Sequence, residues 1–282
     1  MTNPKIVLIT GCSSGIGYCT AHGLKQRGYR VFATAREPED VDRLREEGLE
    51  SFQIDLAHSD SIRNGLKRLL SETDGRLDAL FNNGAYGQPG AVEDLEREVL
   101  REQFETNLFG TQELTNLVIP TMRRQGYGRI INNSSILGFI NLPYRGAYNA
   151  SKFALESLSD TLRLELHGTG IYVSLIEPGP IKTKFRANAH TMYQKNINPE
   201  KSAHRAYYEG VDKRLSKPGN SSSLTLPPEA VLEKVIHALE SARPKIRYRV
   251  TTPTHIAAVA KRLLPDRWLD WLMLRYSAKE NS

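Results

Sequence analysis

Cysteine is scarce in this chain. Only Cys12 and Cys19 occur among 282 residues, seven positions apart. No disulfide framework can be built from them, and a reducing compartment is expected. The seven histidines fall at no metal-ligand spacing, so nothing suggests a zinc cluster. No apolar run approaches the ~18 residues of a membrane span. The chain opens directly on MTNPKIVLIT, without a charged segment and apolar signal region, and a cytoplasmic location is expected. Acidic residues are only slightly outnumbered: 38 Lys and Arg against 32 Asp and Glu leave a net charge of +6. That balance suits an anionic cofactor, an anionic membrane surface or nucleic acid, and equally an ordinary solvated surface. Because the positive charge is dispersed and forms no binding module, no nucleic-acid partner is expected.

The length fits one large α/β domain that can bury a core without staples. Apolar stretches at Lys5–Thr10, Arg30–Ala35, Glu50–Ile54, Leu77–Asn82, Arg129–Ser134, Ile171–Glu177 and Lys245–Val250 predict seven strands. Several are continuously apolar, as strands covered on both faces must be. Helical patterns at Gly15–Arg27, Pro38–Glu47, Ser59–Ser71, Glu98–Arg124, Tyr144–His167 and Pro228–Ala242 alternate with them, and Gly28 and Gly48 stand where left-handed caps are expected. This alternation predicts a doubly wound parallel sheet with helices on both faces.

Residues 184–226 break the rhythm. They are polar, rich in Asn, Ser, Lys and Tyr, and end at Pro227-Pro228. They are expected to form a long loop that acts as a substrate lid and orders on binding, with a functionless insertion as the alternative. Met192, Tyr193, Tyr207 and Tyr208 could line an apolar pocket there. Residues 1–251 thus form a single catalytic domain, and residues 252–282 an amphipathic helical extension interrupted by Pro265. From Arg243 onward nine Lys or Arg face three acidic residues. Such a basic segment with tryptophans can lie on a membrane surface, or pack on its own domain or across a dimer.

Thr10-Gly11-Cys12-Ser13-Ser14-Gly15-Ile16-Gly17 follows the first strand and opens the first helix. Glycines there allow a backbone to approach a pyrophosphate, and the helix N-terminus offers free N–H groups. The spacing departs from the common dinucleotide fingerprint, so the weight rests on its position between strand and helix. At the end of the second strand an acidic residue would hold the 2′-hydroxyl of NAD, whereas Arg36 suits the 2′-phosphate of NADP. The alternative for Arg36 is an exposed ion pair with Glu37.

Of the 12 tyrosines, only Tyr148 has a lysine four residues later, Lys152. On a helix both lie on one face. A neighbouring ammonium and an oxidised nicotinamide ring would lower the phenol's pKa and make it a general acid or base. Ser135, thirteen residues earlier, closes the strand RIINNSS at the carboxyl end of the sheet, where it can hydrogen-bond a substrate oxygen. Ser134 could take that place instead.

TGCSSGIG, NNGA, the Asn107 of FETNLFG, NSS, YNASK and EPGPIKT stand in the order seen in the short-chain dehydrogenase/reductase family. The resemblance spans roughly residues 4 to 250. Around SSILGFINLPYRGAYNASKFALE the chain is similar to the branch holding 17β-hydroxysteroid dehydrogenases, retinol dehydrogenases and bacterial NADP-dependent aldehyde reductases. It implies a Rossmann-type fold and NADP(H) as cofactor. It also implies a catalytic set of Ser135, Tyr148 and Lys152, with Asn107 holding a water that relays protons to the lysine. Asn107 could also merely cap a helix. By the same resemblance Lys152 and Tyr148 meet the nicotinamide ribose. Gly11, Ser13, Ser14, Gly15, Ile16, Gly17 and Arg36 follow the dinucleotide. Asp55 and Leu56 lie by the adenine, Asn82 and Gly84 by the adenosine ribose, and Pro178, Gly179 and Thr183 by the nicotinamide. The family's Asn-Asn-Ala-Gly is here Asn82-Asn83-Gly84-Ala85. Members pair through helices corresponding to Glu98–Arg124 and Tyr144–His167, which implies a homodimer or homotetramer.

A hydride-transferring reductase of hydrophobic aldehydes or ketones is therefore expected. A hydroxysteroid or retinol-type dehydrogenase and a 3-oxoacyl reductase are the enzyme alternatives. A non-catalytic NADP-binding regulator is a different class, against which the complete Asn-Ser-Tyr-Lys set argues.

Overall fold

Ile6–Ile9 (β1) buries all four of its side chains, and they part by alternation onto two sides. Val7 and Ile9 join one core, whereas Ile6 and Leu8 join the other. This is the signature of a central strand with helices on both faces. The computed structural model describes residues 4–216 and 224–281. The remaining strands are β2 (Arg30–Ala35), β3 (Glu50–Gln53), β4 (Ala79–Asn82), β5 (Gly128–Asn133), β6 (Ile171–Glu177) and β7 (Arg247–Arg249). They pair in parallel throughout, in the order β3-β2-β1-β4-β5-β6-β7. All seven match the expected strands, the ends of some trimmed by one or two residues and β5 beginning one residue earlier. The chain runs outward from β1 to β3, then returns past β1 to β4. A crevice opens there, beyond the carboxyl ends of β1 and β4.

Helices α1 (Gly15–Gln26), α2 (Pro38–Glu46) and α9 (Glu229–Glu240) cover one face through Leu24, Val41, Leu44, Val235 and Leu239. The other is covered by α3 (Ser59–Glu72), α5 (Gly110–Gln125) and α6 (Gly146–Glu165), with Leu66, Leu69, Val118, Met122 and Leu162. Gly28 and Gly48 have positive φ after α1 and α2, as expected.

Two helices differ from expectation. The stretch Glu98–Arg124 is not one regular helix: α4 (Arg97–Phe104) passes through a π-helical turn at Glu105–Phe109 before α5. Such turns often mark functional sites and have no compositional signature. The helix expected from Tyr144 starts only at Gly146, because Tyr144 has φ +61, outside helical space. Its ring is stacked on Tyr207, with centroids 3.6 Å apart, which holds the unusual backbone in place.

The expected long loop is largely helical. Within it lie α7 (Phe185–Asn196) and α8 (Arg205–Ser216), while residues 217–223 fall outside the described residues. Few apolar positions suffice: Ala189 and Tyr193 on α7, and Tyr208, Val211 and Leu215 on α8, meet Ala91, Leu95 and Ala147 in a separate small core. Tyr193 and Tyr208 are buried inside it, so they build the cover rather than line a pocket. The Tyr208 hydroxyl donates to Asp94, and that of Tyr207 pairs with Ser277 at 2.7 Å. Past β7, α10 (Thr252–Leu263) and α11 (Asp266–Asn281) are separated at Pro265, as the sequence suggests. Their inner residues Ala257 and Leu269 pack on Ile140. Among the described residues no helix is long and apolar enough to cross a membrane.

Candidate active site

The chain leaves β1 through Thr10 and enters α1 at Gly15. Ser14 stands at the N-cap without a capping bond from its side chain, which leaves the first-turn N–H groups without a side-chain acceptor. Gly11 and Gly15 take positive φ, +68 and +60. A Cβ at Gly17 would lie 2.3 Å from the Gly11 carbonyl oxygen, and one at Gly11 would lie 2.6 Å from Gly84 Cα. The three glycines thus form a bare-backbone cradle that any side chain would fill. Ile16 turns into the core, and the Ser13 carbonyl accepts from Arg43 at 2.7 Å. Thr183 faces Gly15 from across the crevice, its methyl 2.9 Å from where a Cβ would stand.

Asn83, unassigned by sequence reasoning, ties the cradle together. Its side-chain amide donates to the carbonyls of Thr10 and Gly11, both at 3.0 Å, and its own oxygen accepts from Asn133. Thr10 Oγ1 in turn accepts from the backbone of Asn83 and Gly84. The inverted Gly84-Ala85 pair is accommodated, with Gly84 against Leu56 and Thr10. Asn82 ends β4, as expected. Its side chain is buried and donates to Thr115 and Asn132, on the side away from the cradle that Asn83 ties together. Strand alternation decides this: β4 points neighbouring side chains to opposite faces. Asp55 Oδ1 accepts from Ala57 N–H and closes the turn after β3, and Leu56 is buried beneath Gly84. Arg36 is exposed at the end of β2, with Nε 2.7 Å from Glu37. The ion pair considered from sequence is present, and an exposed pair of this kind costs little to exchange for another anion. Arg43 is a second cation at the mouth that sequence reasoning missed. Pro178 accepts from Ile136 N–H at 2.8 Å, and a Cβ at Gly179 would strike Thr251 Oγ1 at 2.1 Å, so this segment is held close against both neighbours. A bare cradle, a helix N-terminus and two arginines fit a dinucleotide.

Ser135, Tyr148 and Lys152 meet at the carboxyl end of β5. Ser135 Oγ accepts from Leu137 N–H at 3.1 Å, which fixes the hydroxyl over a single 3-10 turn, Ile136–Gly138. Burial pushes the Tyr148 phenol up to about 12, and a hydrogen bond from Ser135 pulls the other way. Ser134 Oγ lies instead on the side of Glu156, both of them against Gly138. Lys152 lies one helical turn on, its Nζ 5.7 Å from the Tyr148 ring centre and 2.7 Å from the Asn133 carbonyl. Burial brings its ammonium down to about 8, partly countered by Glu156. Asn107, in the π-helical turn, bonds both backbone groups of Tyr86 and donates to Ser151 at 3.2 Å. Its side chain is a clamp between the β4 loop and α6, and makes no direct bond to Lys152.

Behind the lysine lies a buried charge network that the sequence did not flag. Glu177 forms ion pairs with Arg247 at 3.0 Å and Arg249 at 3.2 Å, and Glu156 and Asp160 share Arg247. Burial, then Glu156, raise the Glu177 carboxyl to about 7, with the arginines opposing. In front stands Phe185, the first residue of α7, its ring edge-on to Tyr148 at 5.2 Å between centroids. Nothing but proximity in space could have revealed it.

The sheet order, the glycine cradle and the Ser-Tyr-Lys cluster define a class of nucleotide-dependent oxidoreductases. The short chain dehydrogenase profile matches residues 5–194, and the chain belongs to that family. It is 44% identical over 269 residues to the uncharacterized oxidoreductase YbbO of Escherichia coli (strain K12), covering 95% of this chain and 94% of that one. To human 17-beta-hydroxysteroid dehydrogenase type 1 it is 33% identical, over 87% of this chain and 77% of the relative. Among solved structures it resembles the closed form of a serine dehydrogenase complexed with NADP+, with TM-score 0.74, 27% identity, and 88% and 95% coverage. The chain is thus an NAD(P)-dependent oxidoreductase that acts on a small substrate.

Proposed function

We propose that the protein is an NADP-dependent reductase of hydrophobic aldehydes or ketones, reversible toward the alcohol. The observation that carries this reading is Ser135, at the end of β5, brought to the Tyr148 phenol, with Lys152 one turn after Tyr148 on α6. The substrate carbonyl oxygen accepts from both hydroxyls, and the Tyr148 phenol, protonated at rest, gives its proton as charge develops on that oxygen. Lys152 holds positive charge behind the phenol, lowers the cost of the phenolate and contacts the nicotinamide ribose. Asn107 keeps the β4 loop on α6 and so supports a water path to Lys152. The bound nicotinamide supplies or accepts the hydride. The cradle of Gly11, Ser13, Ser14, Gly15, Ile16 and Gly17 holds the pyrophosphate. Asp55, Leu56, Gly84 and the Asn82 backbone flank the adenosine, and Pro178, Gly179 and Thr183 flank the nicotinamide. Arg36, supported by Arg43, favours the 2′-phosphate of NADP.

The helices α7 and α8 cover the substrate, with Phe185 and Met192 offering apolar surface. A ketone of steroid size is the second reading, favoured by the hydroxysteroid dehydrogenase relative. Exposed Phe109 on the turn before α5, with Leu158 and Leu164 on α6, supports pairing of two copies there. Two free thiols suit a cytoplasmic setting.

Tyr148→Phe is expected to lower kcat at least ~1,000-fold with NADPH binding retained, read by stopped-flow oxidation and fluorescence titration. In the unaltered enzyme kcat/KM falls as the pH rises past about 8, because Lys152 is charged only below that value. Full turnover by the phenylalanine variant would reject the mechanism.

A further inference from the structure

The extension beyond β7 is apolar on more than the side it buries. On α10 the inner face is Thr254, Ala257 and Ala258, and Ile256, Val259 and Leu263 form a stripe opposite, with Leu263 75% exposed. On α11 the inner face is Leu269, Met273 and Ser277, while Trp268, Trp271 and Leu274 point outward, with Trp268 68% exposed. A helix apolar on both sides needs two partners, and the catalytic body supplies one. The six outward side chains together expose on the order of 500 Å2 of apolar surface on two consecutive helices, an amount that marks an interaction site.

Charge says what the second partner is. The two helices carry Lys261, Arg262, Arg267, Arg275 and Lys279, and Arg275 lies 4.7 Å over the Trp271 ring. Among their acidic residues, Glu280 is engaged by Arg145 and Arg214, and Asp266 and Asp270 lie along one flank of α11, about 100° or more around it from Trp268 and Trp271. Two copies of this chain meeting here would set cations against cations, a costly arrangement. An anionic bilayer offers the two properties together: acidic headgroups for the lysines and arginines, and an interface in which tryptophan rests.

We propose that α10 and α11 form an amphipathic surface that docks the enzyme on anionic lipid, lying in the interface without spanning it. The inner side of the same helices packs on Ile136, Phe139 and Ile140, immediately after Ser135. Docking therefore brings the site within a few residues of the bilayer, where an apolar carbonyl compound would partition. The surface stands on its own observations; only its use in substrate delivery rests on the function proposed above.

The test is co-sedimentation of the full chain, without substrate, with phosphatidylglycerol-containing vesicles and with pure phosphatidylcholine vesicles, at low and high salt. The protein is expected to bind the anionic vesicles and to release as salt rises. Trp268→Ser with Trp271→Ser should lower the partition coefficient more than ~10-fold, and Arg267→Gln with Arg275→Gln by about 10- to 30-fold. Turnover of a water-soluble aldehyde should stay unchanged in both variants, and the arginine pair carries the test alone if the serine variant misfolds. Absence of binding to anionic vesicles overturns the proposal, as does equal binding by the variants. Conversion of an oligomer to a smaller species by the tryptophan changes, seen in analytical ultracentrifugation, overturns it in favour of a second copy.

Discussion

The nucleotide crevice and the substrate cover are built by different means. Around the crevice, backbone meets backbone. A Cβ at Gly110 would stand 1.8 Å from the Leu56 carbonyl oxygen, and one at Gly17 2.3 Å from that of Gly11. Over the substrate, side chain meets side chain: Tyr144 on Tyr207, Tyr208 on Asp94, Glu280 between two arginines. A backbone contact admits one residue type, whereas a side-chain contact can be rebuilt from many. The first region is therefore rigidly specified, and the second is free to vary with the substrate.

That contrast breaks first, and hardest, at Gly110. Alanine there collides with backbone, which cannot rotate away, and pushes α5 from the turn that carries Asp55 and Leu56. Gly110→Ala is expected to cost more than ~3 kcal/mol, measured by urea unfolding, and to abolish nucleotide binding in whatever protein remains folded. Near-normal stability would mean that the crevice is as adaptable as the cover.

Arg36→Asp sharpens the comparison without touching the fold, because the side chain is exposed and among the described residues its one ion pair is with Glu37. The variant should lose about 100-fold in affinity for NADPH and little for NADH, read by parallel titrations. Equal losses for both would remove Arg36 from the 2′-phosphate and leave Arg43 as the candidate.

The same division explains what the sequence disclosed. The seven strands were legible because buried parallel strands are uniformly apolar. The cradle was legible because its glycines are forced. Tyr148, Lys152 and Ser135 were legible as a spacing on one helix and a strand end. Asn82 and Asn83 stand side by side with identical chemistry, and only the pleat decides which one reaches the cradle. The π-helical turn that sets Asn107 leaves no compositional trace. Helices α7 and α8 are polar outside two or three buried positions each, so their pattern read as a loop. Glu177 and Phe185 lie well beyond α6 in the chain and acquire meaning only once folding brings them near Glu156 and Tyr148. Glu156 is one helical turn from Lys152 and shows its burial only in the fold.

The smallest effect is expected at Glu280, and it tests whether cover and crevice are separable. Its carboxylate lies between Arg145, just before α6, and Arg214 on α8, each 17% exposed. Burial alone would raise this carboxyl, but the arginines, Arg145 foremost, hold it below its ordinary value. Burial, then Arg145, bring Arg214 down to about 10. Glu280→Gln keeps the shape and removes the charge, so two guanidinium groups face each other with nothing between them to neutralise either. A loss of about 1–2 kcal/mol is expected, less than for a fully buried pair because each group retains some water. The carboxyl is held low, so its contribution is present above the ordinary carboxylate range and fades as acid protonates it; wild type and variant should converge in stability at low pH. Since Glu280 and Ser277 tie α11 to α8, KM for an apolar carbonyl substrate should rise about 3- to 10-fold while NADPH affinity stays unchanged. If NADPH affinity fell in step with KM, cover and crevice would be one cooperative unit, and the division between rigid cradle and variable lid would fail.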